Sequence, residues 1–81
     1  MGKPLPLISN NIRKLRFNHD EMTQQELAEK VGVTRQTIVA IEAAKYSPSL
    51  ELAFRIAHVF DVPLEEVFIY YPDHDPILHK A

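Results

Sequence analysis

Few side chains in this sequence are spaced for catalysis or metal binding. The histidines are His19, His58, His74 and His79, and none shares a helix face with a second ligand in HExxH fashion. Asp73-His74-Asp75 sets three ligand-type side chains in a row. That run reads either as a weak metal site or as a solvated tail. Cysteine is absent, which excludes thiolate zinc ligands, disulfide staples and a thiol nucleophile. No glycine-rich phosphate loop and no polar trio suited to nucleophilic catalysis can be found. The residues argue against an enzyme and imply no cofactor, metal or small-molecule ligand.

The cations are more informative. Residues 1–46 hold seven Lys/Arg (Lys3, Arg13, Lys14, Arg16, Lys30, Arg35 and Lys45) against five acids, a net of +2. Residues 47–81 hold two bases against six acids, a net of -4. The total of -2 hides a mildly basic front and an acidic rear. Such a split suits a polyanion-facing half, or is a scatter of solvated charges.

These charges must be carried by one domain, because the chain has 81 residues. A hydrophobic share of 46% and a charged share of 25% are those of a soluble globular domain. Apolar runs are far too short to span a membrane, so the expected compartment is the cytoplasm. Strand signals are poor and the apolar spacing is helical throughout. Pro6 ends an N-terminal arm over 1–8. Ile8, Ile12, Leu15 and His19 form the stripe of a first helix over 9–19. Thr23-Gln24-Gln25-Glu26 reads as a capping box, with Leu27, Ala28 and Val31 facing inward and Gly32 as the stop. Thr34 caps a third helix over 35–43, in which Ile38, Ile41 and Glu42 face inward. Ser49 caps a fourth helix with two apolar stripes, one of Leu50, Ala53, Phe54, Ala57 and Phe60, the other of Leu52, Ile56 and Val59. Pro63 opens a fifth helix, and a loose tail follows over 72–81. The fold class is therefore all-α, a compact five-helix bundle with its working domain over 9–71.

Helices two and three, joined at Gly32, have helix-turn-helix anatomy. Ala28 is small where the helices approach, while Val33 and Ile38 fill the wedge between them. The exposed first turn of helix three is then free to enter a major groove about 12 Å wide.

From Ile12 to Phe68 the chain closely resembles the Cro/repressor-type (XRE) helix-turn-helix family. The resemblance is carried by Ile12-Arg13-Lys14-Leu15-Arg16, Thr23-Gln24-Gln25-Glu26-Leu27-Ala28, Val31-Gly32-Val33-Thr34, Ile38, Ile41-Glu42, Pro48-Ser49-Leu50, Ile56-Ala57 and Pro63-Leu64-Glu65-Glu66-Val67-Phe68. It implies a compact domain that binds operator DNA, usually as a homodimer on a palindrome. By the same resemblance, Arg35 and Gln36 take base-reading positions; Arg suits guanine O6/N7 and Gln suits adenine N6/N7. Ala40 takes a third reading position, to touch a thymine methyl or simply to leave room. Gln24 matches the residue that bonds a phosphate and braces the recognition helix. Thr34 (cap alone or cap plus phosphate), Thr37, Lys45 and Tyr46 are further backbone contacts. An arginine at the position of Arg16 pairs with the glutamate matching Glu42, so a partly buried ion pair is expected between helices one and three.

Two features depart from the family. Ala44 stands where a glycine is usual, which means strain there or a longer third helix. The link from Phe17 to Met22 is about one residue longer than usual. Leu52, Ile56, Val59 and the run Phe68, Ile69, Tyr70 and Tyr71 are spare apolar surface for a homodimer, a toxin-like partner or simply the core. Phe68 to Tyr71 are the expected dimer surface. The competing reading is a protein-interaction module, such as an antitoxin-like partner-binding protein, on the same fold.

Overall fold

The computed structural model describes residues 6–78. Most of the expected arm, residues 1–5, lies outside the described residues, as do His79, Lys80 and Ala81. Five helices follow in order: α1 (Ile12–Asn18), α2 (Gln24–Val31), α3 (Arg35–Glu42), α4 (Leu50–Phe60) and α5 (Leu64–Val67).

Their starts are set by side chains that satisfy the first free N–H groups. The Thr23 hydroxyl accepts the Glu26 N–H at 3.0 Å, and the Glu26 carboxylate accepts the Thr23 N–H at 3.1 Å. Thr34 accepts from the Thr37 N–H at 3.3 Å, and Ser49 from the Leu52 N–H at 3.1 Å. Each such cap contributes about 1 kcal/mol.

Three helices end by one backbone device, a left-handed residue beyond the last turn. Gly32 (φ 77°), Ala44 (φ 58°) and Asp61 (φ 55°) take that place after α2, α3 and α4. The next residue's N–H reaches back to the final turn each time: Val33 to the Ala28 carbonyl at 3.0 Å, Lys45 to Ala40 at 2.9 Å, and Val62 to Ala57 at 3.2 Å. A Cβ on Gly32 would meet nothing within 4 Å, so backbone conformation and not crowding calls for glycine there. α3 stops at Glu42 with Ala43 as its cap. Ala44 therefore does not lengthen the helix and instead bears the left-handed conformation.

The core gathers Leu27, Ala28 and Val31 of α2, Ile38 and Ile41 of α3, and Leu52, Ile56, Ala57 and Phe60 of α4, with Ile12 and Val67. Full burial of each large aliphatic or aromatic side chain contributes about 1.5–3 kcal/mol. The two apolar stripes of α4 are divided differently from the sequence reading. Leu52 and Ile56, left open there to a dimer, a partner or the core, are core residues, whereas Leu50 and Phe54 are exposed. A helix apolar on most sides buries only the side that α2 and α5 cover.

The expectation of an all-α chain is corrected by a small antiparallel sheet. β1 (Ile8–Asn10) pairs with β2 (Phe68–Tyr70), in the register Ile8↔Tyr70, Ser9↔Ile69 and Asn10↔Phe68. This also moves the start of the first helix from residue 9 to Ile12. A strand of three residues is too short for alternation to show in sequence, and its partner lies some sixty positions away. The sheet joins the two ends of the domain and continues past it: the Tyr71 N–H donates to the Leu7 carbonyl at 2.8 Å, and the Ser9 and Tyr71 hydroxyls are 2.9 Å apart. Beyond it the chain makes a 3-10 turn over Pro72–His74. There the His74 ring stacks on Tyr71 with centroids 5.0 Å apart, and its Nδ1 lies 3.0 Å from the Pro6 carbonyl.

Candidate nucleic-acid interface

The sequence places α2 and α3 against each other through Leu27, Ala28, Val31 and Ile38, all buried. That packing decides what α3 presents outward. Arg35, Gln36, Val39 and Ala43 are exposed, and Thr37 and Ala40 are half-buried. The outward face thus carries one guanidinium, one carboxamide, small apolar side chains and no acid. The capping hydroxyl of Thr34 also lies 3.1 Å from that of Thr37, so the two expected phosphate-binding hydroxyls sit together at the first turn. Lys45 and Tyr46 follow the left-handed Ala44 and are exposed.

A polar brace lies behind this face. Arg16 Nε donates to Glu42 Oε2 at 2.7 Å, and Nη2 donates to Oε1 at 3.0 Å. The side chains keep only 14% and 10% of their exposure, so the forked pair is largely shielded from solvent. The third Arg16 nitrogen, Nη1, donates to the Met22 carbonyl at 2.8 Å. One guanidinium therefore ties α1 to the residue before the α2 cap and to the last turn of α3. Gln24 is half-buried and donates to Glu42 Oε1 at 3.4 Å. It sits with the brace, at the first position of α2.

Asn10 was not singled out in the sequence. Its Nδ2 donates to the Ile41 carbonyl at 2.9 Å, and its Oδ1 accepts the Ile12 N–H at 3.2 Å. It therefore starts α1 and fastens the end of α3 to the sheet. Asn11 Nδ2 donates to the Glu66 carbonyl at 3.1 Å. The available signal was the Asn10-Asn11 pair just ahead of a helix, where asparagine is favoured as a cap.

The remaining expected residues do not gather at this face. Phe68 and Ile69 are half-buried in β2, Tyr71 is half-buried beside it, and only Tyr70 of the four is exposed. Asp73-His74-Asp75 is occupied differently from a metal site: Tyr70 donates its hydroxyl to Asp75 at 2.7 Å, and His74 is stacked. Among the described residues no group of three or more His, Asp or Glu is arranged to hold a metal ion. No helix is long and apolar enough to cross a membrane among them.

Two packed helices with a left-handed glycine between them, and an exposed capped second helix, define the unit. Residues 12–67 match the family model described as helix-turn-helix. The chain belongs to the helix-turn-helix family. It is 52% identical over 66 residues to an uncharacterized HTH-type transcriptional regulator of Methanocaldococcus jannaschii, covering 82% of this chain and 98% of that one. It is 36% identical over 61 residues to the cryptic phage CTXphi transcriptional repressor RstR of Vibrio cholerae, covering 75% of this chain and 54% of the repressor. A crystal structure of a candidate DNA-binding protein from Bacteroides fragilis has the same helix-turn-helix fold, with a TM-score of 0.65 at 24% identity over 75% of this chain and 97% of that one.

Proposed function

We propose that this helix-turn-helix protein is a sequence-specific DNA-binding transcriptional regulator of repressor type, acting in the cytoplasm as a homodimer on a palindromic operator. The reading is carried by the exposed face of α3, where Arg35 and Gln36 stand on the first turn with no acid on the same face. In this reading α3 lies in the major groove. Arg35 donates two hydrogen bonds to a guanine, Gln36 pairs with an adenine, and Ala40 stands close to the base edges. Thr34, Thr37, Lys45 and Tyr46 hold the phosphates on either side, and Gln24 adds a phosphate contact from the start of α2. Two copies place their third helices in successive major grooves about 34 Å apart.

The Arg16–Glu42 pair acts indirectly here, by fixing the orientation of α3. Base-edge hydrogen bonds need side chains placed to within a fraction of an ångström, and a helix of eight residues has little rigidity of its own. No catalytic step enters this reading.

Selection of DNA from a random pool tests it directly. The expected product is an enriched palindrome whose binding weakens with salt. Recovery of no enriched sequence would transfer the function to protein binding on the same fold. With the selected site in hand, Arg35→Ala is expected to cost about 1–3 kcal/mol and to relax preference at one position of each half-site. Lys45→Ala is expected to weaken binding to all sequences alike. An Arg35→Ala protein with unaltered sequence preference would refute base reading by that residue.

A further inference from the structure

The carbonyl of Ile41 is among the last of α3, and a helix has no turn beyond its end to supply such groups with partners. The Ala44 N–H reaches it at 3.0 Å, while the Lys45 N–H is taken by the Ala40 carbonyl. A second donor comes from outside the helix, the Asn10 Nδ2 of β1 at 2.9 Å. This amide cannot be turned round. Its Oδ1 accepts the Ile12 N–H at 3.2 Å, so the oxygen must face that donor and the nitrogen the Ile41 carbonyl. An aspartate would bring no donor to Ile41, and a serine is too short to link the start of α1 to the end of α3.

We propose that Asn10 is a positioning residue of the reading head. Through the Ile41 carbonyl it sets the main-chain position of the last turn of α3, which makes the chain-end sheet part of what reads DNA. The inference rests on the DNA reading above and adds a residue that touches no DNA.

Two anchors hold consecutive residues of that turn, and they differ in kind. Arg16 grips the Glu42 carboxylate, which rotatable bonds separate from the main chain. Asn10 grips the main chain itself. Its own backbone is fixed by the ladder, with Asn10 opposite Phe68 and the Asn11 N–H on the Val67 carbonyl at 2.8 Å. Ala40 and Ala43 of the outward face lie one residue before and two after the gripped carbonyl. α3 has eight residues and is followed by a left-handed alanine, so little within the helix holds that turn firmly. Phosphate contacts tolerate a small displacement of the turn, because charges attract over several ångströms. Base-edge hydrogen bonds do not, because they weaken steeply with distance and angle.

The test compares binding to the selected operator with binding to a random duplex of the same length. Asn10→Ser and Asn10→Thr keep a hydroxyl to accept the Ile12 N–H and lose the donor to Ile41; threonine is the better strand former of the two. Each is expected to raise the operator Kd about tenfold, the scale of one misplaced base contact, and to leave the random-duplex Kd within about twofold. Asn11→Ala removes a bond of the same kind to α5, where Asn11 Nδ2 meets the Glu66 carbonyl at 3.1 Å, and is expected to bind both duplexes as the wild type does. A lowered thermal midpoint with unchanged operator binding in the Asn10 variants would assign Asn10 to stability alone and overturn the proposal. So would equal losses on the operator and the random duplex, or a loss in Asn11→Ala matching that of the Asn10 variants. A wild type that selects no operator overturns the DNA reading and the positioning role with it. An operator bound equally by the wild type and the Asn10 variants leaves the DNA reading standing and removes only the role of Asn10.

Discussion

At the scale of single residues, Ala44 is a point of backbone strain, one of four non-glycine residues among those described with a left-handed φ. Its φ of 58° lies where a Cβ crowds the following carbonyl, yet the two hydrogen bonds that close α3 need that conformation. Ala44→Gly is expected to stabilise the fold by about 1 kcal/mol in urea unfolding, without altering sequence preference in DNA binding. An unchanged or lowered midpoint would show that the alanine is unstrained. The opposite case is Glu42, whose carboxylate meets Arg16 at two points and Gln24 at a third. Glu42→Ala leaves the guanidinium shielded and half-partnered, and is expected to cost about 3 kcal/mol, the lower end for a broken buried pair because both side chains keep some exposure. A loss below the error of thermal melts would remove the brace from the account.

At the scale of elements, the two short strands give the chain ends a role that helices alone do not have. β1 presents Asn10 to the end of α3, and β2 continues directly from α5, so the sheet joins the reading helix to the rear of the core. The segment after β2 folds back on it. The hydrogen bond from Tyr70 to Asp75, with some desolvation and the charge of Asp75, raises the tyrosine pKa above its ordinary 10.0. The sign follows: the folded state favours the neutral phenol, so the contact is fully present below the ordinary tyrosine range and lost as pH rises through the raised value. In an ultraviolet titration, one of the three tyrosines is expected to ionise late. Tyr70→Phe should delete that component and Asp75→Asn should bring it down. Three tyrosines titrating together would remove the contact from the solution structure.

At the scale of the whole molecule, charge limits how DNA is held. The net charge is -2, and Lys45 is the only cation among the proposed phosphate contacts of each subunit. In the proposed homodimer, two such contacts give an expected slope of log K against log salt of about -2. In the proposed reading, specificity then comes mainly from base edges and from the joining of two heads, with weak binding to random sequence expected. A measured slope several-fold steeper would mean that further cations, Arg13 and Lys14 of α1 first among them, reach the phosphates.

The helices and the unit formed by α2 and α3 were legible in sequence because their signals are local. A hydroxyl three residues before a glutamate, a glycine after an apolar stripe and a proline ahead of two acids each act within one turn. The Arg16–Glu42 pairing was legible only through the family resemblance, since the residues are 26 positions apart. What sequence could not decide was every choice among equivalent local options. Either stripe of α4 could have been buried, and the tertiary contacts of α2 and α5 selected Leu52 and Ile56 while leaving Leu50 and Phe54 outside. Ala44 could have extended α3 or ended it, and the closing hydrogen bonds from Ala44 and Lys45 ended it. Ile8–Asn10 could have opened the first helix, but they pair instead with Phe68–Tyr70, some sixty positions away. Local periodicity thus determined which segments are helices and which face of α3 is free. Long-range packing alone determined how the ends pair and where the spare apolar surface lies, because those depend on the whole chain being folded at once.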